Sequence, residues 1–320
     1  MIILGGGLAG CLTGLMFGQA TVYEAQEQLK PHRALLRFRS DNISRITGIP
    51  FKKVRVHKAI YSEGKLYSHC NPQLANLYSR KVVGGIADRS IWSLDPVERW
   101  IAPRDFHEQL ALLLDGRLRL GHPVTGIESN AAFFGGHCKE HFDFAISTMP
   151  LKVTQSLLGI NRTHEFYIEP PAFRSSSIRV IELPMPETDV HQTIYFPDTN
   201  MPAYRASIVG DRMIVELSNS CMRNDATLHN DLVDVYRAFG LAVPEEFSMK
   251  ESMQRFGKLL PMKDEAKRRN AIFQMTQRFR IYSLGRFACW RNIVMDDVYD
   301  DILKIRSLLG KDAYEHSLKG

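Results

Sequence analysis

The sequence predicts an α/β fold: a parallel-sheet layer built from both ends of the chain, with a β-rich insertion between them. Three observations predict it. Residues 1–4 (MIIL) are a short apolar run that meets a glycine cluster and then a small-residue apolar stretch. Between 176 and 217 the chain runs through four alternating, β-rich segments. After 281 a short apolar run and an amphipathic helical pattern close the chain.

Length and composition bound the answer. At roughly 100–200 residues per domain, 320 residues make about two domains. Hydrophobic residues at 44% and charged residues at 24% exclude a disordered chain, a collagen and a coiled coil. No apolar run approaches the ~20 residues of a membrane span. The stretch 1–17 is broken by glycines and lacks the basic start of a signal peptide. The expectation is a cytoplasmic protein without a membrane partner. Five scattered cysteines (Cys11, Cys70, Cys138, Cys221, Cys289) form no C-x-x-C pair, so free thiols are expected, with no disulfides and no metal. Lys and Arg number 41 against 35 Asp and Glu, a net +6 that permits an anionic ligand, such as a pyrophosphate or a nucleic acid, without demanding one. Residues 51–58 (FKKVRVHK) and 267–270 (KRRN), with Arg278 and Arg280, are basic and read as solvated faces.

The first elements carry the strongest signal. Residues 1–4 suit a strand buried on both faces. Gly5, Gly7 and Gly10 then match G-x-G-x-x-G, and Leu8 and Ala9 open a helix that runs to about 17. Residues 20–23 form a second short strand, ending at Glu24. Each part suits a dinucleotide site: Gly5 for the tight turn, Gly7 for backbone approach to a pyrophosphate, Gly10 for close packing of helix on strand. The helix start offers free N–H groups and a positive dipole end. Glu24 can accept hydrogen bonds from a ribose diol, which disfavours NADP. The layer is therefore Rossmann-like.

Further along, 43–50 reads as a strand, and 54–60 with 65–67 as a hairpin about Ser62-Glu63-Gly64. Residues 103–114 read as a helix with Phe106, Leu110 and Leu113 on one face; 117–120, 124–128 and 142–147 as strands; 150–158 as a helix. Residues 176–183, 190–196, 203–209 and 212–217 read as an antiparallel sheet, 226–239 as a helix, and 247–254 as a returning strand. Residues 281–284 make a short strand, and 296–309 a helix with Val298, Ile302 and Ile305 on one face. The expected organisation is a dinucleotide-binding domain in three parts (1–45, 100–150, 255–320) and a β-rich, α+β substrate domain in two (46–99, 151–254).

Four segments together resemble the FAD-dependent oxidoreductases of the two-dinucleotide-binding-domain type, in the branch of protoporphyrinogen oxidase, amine oxidases and UDP-galactopyranose mutase. They are GGGLAG with Glu24; FDFAISTMP, which holds Thr148; FGKLLP at 256–261, similar to a turn of that family; and YSLGRFACW followed by MDDV, similar to its closing flavin segment. The resemblance implies FAD as cofactor. It implies that Val124, Thr148, Gly285 and Arg286 join the glycine loop and Glu24 around the cofactor, and that Asp296 and Asp297 open a helix aimed at the flavin. One departure stands out: after Glu24 the chain reads Ala25-Gln26-Glu27-Gln28, without the family's basic residue and Gly-Gly pair. Arg33, Arg37 and Arg39 follow, and Arg33 is the residue expected near the phosphates.

On the substrate side, a carboxylate needs an arginine clamp. Arg205, beside Tyr204 and close to Tyr195, is the candidate for holding an anionic substrate over the flavin. Lys258 is the candidate for the lysine that amine oxidases keep by their flavin. Trp290 and Phe287 line the cofactor or fill core, and His191 reads as a structural histidine. The resemblance leaves three functions open. One is oxidation of an amine or amino-acid-type C–N bond by hydride transfer to flavin. In a narrower version the chain resembles phage-encoded FAD lyases that act on amino-acid-modified thymine in DNA, in the host cytoplasm, so that a modified nucleobase and nucleic acid become partners. The second is non-redox flavin chemistry on a nucleotide sugar. The third is a flavin-binding scaffold without turnover.

Overall fold

The computed structural model describes residues 1–29, 35–86, 91–135, 138–218 and 225–318, the side chains of 225–227 and 311–318 excepted. The chain divides into two units: Met1–Lys52, Trp100–Phe173 and Pro261–Gly320 form one, Lys53–Arg99 and Arg174–Leu260 the other. These bounds depart from the expected ones in three places. Residues 46–52 and 151–173 go with the first unit, and 255–260 with the second. The helix Leu151–Leu157 belongs with the first because Leu151 is fully buried and its N–H donates to the Phe287 carbonyl at 3.0 Å.

The first unit is built on a five-stranded parallel sheet. Its spatial order is Ile281–Ser283, Ala145–Ser147, Ile2–Leu4, Thr21–Tyr23, Leu118–Arg119. The first strand in sequence thus pairs with the second on one side and the fourth on the other. Strand order reverses between Leu4 and Ser147, and in an open parallel sheet that is where the carboxyl ends leave a crevice. The strands are two or three residues long, so few side chains fix them. Ile3, Leu4, Ala145 and Ile146 are fully buried, which is why each strand reads as a run rather than an alternation. The helix Leu8–Met16 covers the sheet and packs against Phe106–Leu113 and Met295–Leu318. Val298, Ile302 and Ile305 reach the same core as Ile3, Leu12 and Phe106. Three antiparallel strands, Val124–Ile127, Ala131–Phe134 and Cys138–His141, complete the unit; the last two were not foreseen.

In the second unit the strand order is Lys250–Leu259, Ser175–Pro184, Arg212–Ser218, Ala203–Val209, His191–Tyr195, then Lys52–Ser62. All pairs are antiparallel except His191–Tyr195 on Lys52–Ser62. The hairpin forms where expected: Lys65–Tyr67 pairs with Lys52–Ser62, and Glu63 and Gly64 take φ of 50° and 74°, the doubly left-handed turn that matches strand twist. The helix Asp225–Ala238 buries Leu228, Leu232 and Val235 against Ile208, Met213 and Val215.

Several expectations are corrected. Residues 43–50 are not a strand: Asn42–Thr47 is helical and ends at Gly48 with φ 70°. Within the helix only Ile43 is buried and Ile46 is exposed, so no apolar stripe offsets the β-branched composition that suggests a strand. Thr47 Oγ1 and Ser44 Oγ donate to the carbonyls of Ile43 and Ile49, securing the short helix. FGKLLP is not a turn, because Lys250–Leu259 continues as a strand through Phe256-Gly257-Lys258. Register slips here, from Ser176↔Lys258 to Ile178↔Gln254. A Cβ on Gly257 would lie 2.3 Å from Ile178 Cγ1, so the glycine answers a close strand approach. The basic run 267–270 lies on an unforeseen helix, Glu265–Phe279, capped by Asp264, whose carboxylate accepts from Lys267 N–H at 2.8 Å. Arg268 on it is buried rather than solvated.

Gly14 shows how tight the first unit is. A Cβ there would meet Val22 Cγ2 at 2.5 Å and Leu114 Cδ2 at 2.8 Å. Replacing a helical glycine by alanine normally gains ~1 kcal/mol, but overpacking costs roughly 1–3 kcal/mol and valine recovers little of the helix gain. Gly14→Val should therefore lower unfolding stability by about 2 kcal/mol, read as a lower urea midpoint at unchanged slope; an equal or higher midpoint would contradict this packing.

Candidate functional site

The reversal point of the parallel sheet carries the glycine loop. Gly5 turns with φ 107°, and its N–H donates to the Tyr23 carbonyl at 2.8 Å. A Cβ on Gly10 would fall 1.8 Å from the Gly5 carbonyl oxygen, so no side chain fits there. Gly7 is different. It precedes the helix in extended conformation, and a Cβ on it would meet nothing within 4 Å. The helix Leu8–Met16 has no side-chain cap and no acid in its first turn. Its first N–H groups lack helical partners and its dipole end is positive. Room at Gly7 and an uncapped helix start together fit a pyrophosphate.

The other expected cofactor residues sort around this loop. Glu24 Oε2 accepts from Gly6 N–H at 2.7 Å and Oε1 from Gln26 N–H at 3.0 Å. Each carboxylate oxygen keeps a second lone pair for a diol. His122 N–H donates to the Glu24 carbonyl at 2.8 Å, and Val124 begins the strand that follows. Tyr23 stacks on Phe134, the residue paired with Val124, at 4.3 Å between ring centroids. Thr148 Oγ1 donates to the Gly5 carbonyl at 3.0 Å. Gly285 has φ 91°, and a Cβ on it would lie 3.2 Å from Ala9 Cβ, so this loop touches the helix start. Arg286 is half-buried beside the ring of Phe287, 5.5 Å from its centroid. Asp297 accepts from Val294 N–H at 2.8 Å, holding the start of Met295–Leu318. Asp296 accepts from Arg39 N–H at 2.8 Å, and the Arg39 guanidinium pairs with Asp297. Arg33 lies outside the described residues, as does Cys221.

One contributor, Arg268, was not anticipated, and the expected aromatic Trp290 lies in the same loop. Arg268 Nη1 donates to the Cys289 carbonyl at 2.7 Å, pinning the loop that holds Gly285 and Arg286. Trp290 is buried with φ 47°, and its ring meets Phe173 edge-on at 5.0 Å. Its Nε1 has no hydrogen-bond partner among the described residues. A left-handed tryptophan with an unsatisfied buried donor is the strain that functional loops keep.

Arg205, Tyr195 and Lys258 come together in the second unit. Arg205 stands opposite Tyr195 on one neighbouring strand and opposite Glu216 on the other. A register shift between Ala203 and Arg205 inserts Tyr204 as an extra residue, a bulge that re-aims side chains. The Arg205 guanidinium grips Glu216 through both Nε and Nη2, the latter at 2.7 Å from Oε1. Tyr78 meets Tyr195 at 5.3 Å and Tyr204 at 6.4 Å, and Lys258 Nζ lies 5.0 Å from the Tyr204 centroid. Burial holds the Tyr78 and Tyr204 phenols well above their ordinary pKa, so both stay protonated. Burial works to discharge Arg205, but Glu216, by charge and hydrogen bonding, together with Tyr204 and Tyr78 more than offsets it and keeps the guanidinium charged. Sequence reasoning missed Tyr78 and Glu216; neither carries a local motif, and only strand register brings Glu216 to Arg205. His191 is buried, and Phe287 lies beside Arg286.

No family model matches the chain, and no curated protein matches it in sequence. Solved structures match it in fold. A reduced UDP-galactopyranose mutase is 15% identical, with a TM-score of 0.69 over 91% of this chain and 90% of that one. A fatty acid isomerase from P. acnes that produces CLA is 13% identical, with a TM-score of 0.64 over 95% and 97%. An oxidoreductase from Methanosarcina mazei is 9% identical, with a TM-score of 0.58 over 95% and 99%. The chain shares the fold of these flavoenzymes. Among the described residues no His, Cys, Asp and Glu group could hold a metal, and no helix is long and apolar enough to cross a membrane.

Two glycine variants separate ligand clash from folding clash. Gly7→Val should fold within about 1 kcal/mol of the parent yet purify colourless, because the side chain fills the space left at the loop. Gly10→Ala should fail to give soluble protein, since its Cβ collides with backbone. A yellow Gly7→Val protein would remove the loop from the cofactor site.

The thiols give a second check. Burial, with the charge of Glu24, pushes Cys11 up to about 12, and burial pushes Cys289 up to about 11. At pH 8 only about one Cys11 in ten thousand is the reactive thiolate. Iodoacetamide on native protein should label exposed Cys138 and spare Cys11 and Cys289, as peptide mass mapping would record; rapid labelling of Cys11 would contradict its burial.

Proposed function

We propose that the chain is an FAD-dependent oxidoreductase that oxidises the C–N bond of an amino-acid-type substrate bound at the Arg205 cluster. The carrying observation is that Arg205 is already paired, fork to carboxylate, with Glu216. An amino acid brings both charges: its carboxylate can take the guanidinium and its ammonium can take Glu216, so neither protein charge is left alone. Protonated Tyr78 and Tyr204 add donors around the pair. FAD, when bound, takes up the hydride and with it the two electrons removed from the substrate. The chain's own part is to hold the substrate between the charged pair and the phenols of Tyr78 and Tyr204.

An amino-acid-modified thymine in DNA is the narrower version of this reading. It draws support from the exposed basic side chains Lys52, Lys53, Arg55 and His57 on one strand. The second reading, a nucleotide-sugar enzyme, draws support from the likeness to UDP-galactopyranose mutase, but a pyrophosphate would compete with Glu216 for one arginine.

Anaerobic titration of the yellow protein decides between them. Amino acids or amino-acid-modified DNA should bleach the flavin without added reductant. Bleaching by neither, with nucleotide-sugar turnover only after chemical reduction, would favour the second reading. Arg205→Lys keeps the charge but loses the fork. It should weaken substrate binding roughly 10- to 1000-fold, as loss of a charge-assisted pair worth ~2–4 kcal/mol implies, with the flavin spectrum unchanged. Unaltered kinetics would remove Arg205 from the site. With DNA as substrate, binding should fall steeply with salt through counterion release.

A further inference from the structure

The peptide joining Gly6 to Gly7 is gripped from inside the protein. Its carbonyl oxygen lies 3.0 Å from Nε2 of His107 and 3.1 Å from Sγ of Cys11. His107 is only 6% exposed and sits in the first turn of Phe106–Leu113, a helix packed on Leu8–Met16. A carbonyl oxygen can only accept, so Nε2 must carry the proton and donate. The Cys11 thiol is a much weaker donor and cannot replace it. On the preceding peptide, Gly6 N–H is fixed independently by Glu24 at 2.7 Å.

A trans peptide is planar, with C=O and N–H pointing in opposite directions, and no cis peptide occurs among the described residues. Drawing the Gly6 oxygen inward therefore turns the Gly7 N–H outward, away from His107. Gly7 is also where the protein leaves room for a ligand. Glycine has no Cβ to bias its backbone, so an unanchored Gly6–Gly7 peptide could rotate at little cost. Rotation would present a carbonyl oxygen, rather than an N–H, to an incoming anion.

We propose that His107 is a positioning residue for the cofactor: it locks the Gly6–Gly7 peptide in the orientation that offers the Gly7 N–H to the pyrophosphate. The inference rests on the FAD reading of the glycine loop. It adds a residue that touches no cofactor, lies far along the chain from the loop, and belongs to no motif.

The test uses apoprotein stripped of flavin, with affinity read by quenching of FAD fluorescence and fold by the apoprotein melting curve. His107→Leu removes the donor and His107→Gln restores one on a side chain of similar reach. His107→Asn, whose donor falls short, replaces the leucine variant if that one fails to fold. The leucine or asparagine form should bind FAD roughly 10- to 100-fold more weakly, the range set by losing one hydrogen bond to a buried group. The glutamine form should recover most of that loss. ADP, which keeps the pyrophosphate, should lose affinity in parallel, while adenosine should not. Equal losses in the leucine and glutamine forms, or for ADP and adenosine, would make His107 a packing residue only and overturn the proposal. So would an unchanged affinity in a folded leucine form. Parent apoprotein that does not rebind FAD would instead defeat the cofactor reading itself.

Discussion

A side chain at position 10 would have to share space with the Gly5 carbonyl oxygen, 1.8 Å from where its Cβ would lie. That exclusion sets the approach of the helix Leu8–Met16 to the strand Ile2–Leu4. With the helix so close, Gly14 must also be bare, because Val22 and Leu114 fill the space beside it. The helix start then stands directly over the end of the central strand, between Tyr23 and Thr148, and both neighbours are tied to Gly5 by hydrogen bonds. The anion-facing geometry is thus a consequence of helix–sheet packing, and the core of the first unit is what holds the loop rigid.

How much of this is legible in sequence depends on how local the cause is. The glycine loop, Glu24 and the short buried strands follow from residues within about one βαβ unit, and they were readable. The Ser62-Glu63-Gly64 turn was readable for the same reason: its chemistry is contained in the turn. Asn42–Thr47 reads as a strand in sequence because it is rich in β-branched residues and buries only Ile43. Glu265–Phe279 was missed because its exposed face is long and its buried face is carried mainly by Ala271, Met275 and an arginine. Nothing local distinguishes Arg268, which reaches the Cys289 carbonyl, from its exposed neighbours Lys267 and Arg269.

The second unit makes the same point through register. Arg205 could be singled out from its tyrosine neighbour, but its partner Glu216 is set by the pairing of two strands and by a bulge at Tyr204. A shift of one residue would turn the glutamate to the other face of the sheet. Lys258 likewise reaches the Tyr204 ring from a strand whose register slips just before it. Irregularities that a strand prediction smooths over are where this unit gathers its charged and aromatic groups.

The pairing of Arg205 with Glu216 also constrains what the cluster can bind. The pair is half-buried, with the Arg205 side chain 38% exposed and that of Glu216 14%, so removing one partner leaves the other charge only partly solvated. A ligand that takes only the arginine leaves Glu216 in that position. A dianionic phosphate compounds the difficulty by adding repulsion from the same carboxylate. A zwitterion exchanges one balanced pair for two and leaves no charge unmatched. The surrounding phenols stay protonated because burial raises them, so they supply hydrogen bonds without altering that balance. If the cluster is the substrate site proposed above, charge matching favours substrates that carry an ammonium and a carboxylate together. It does so whether the amino-acid group is free or attached to a larger molecule.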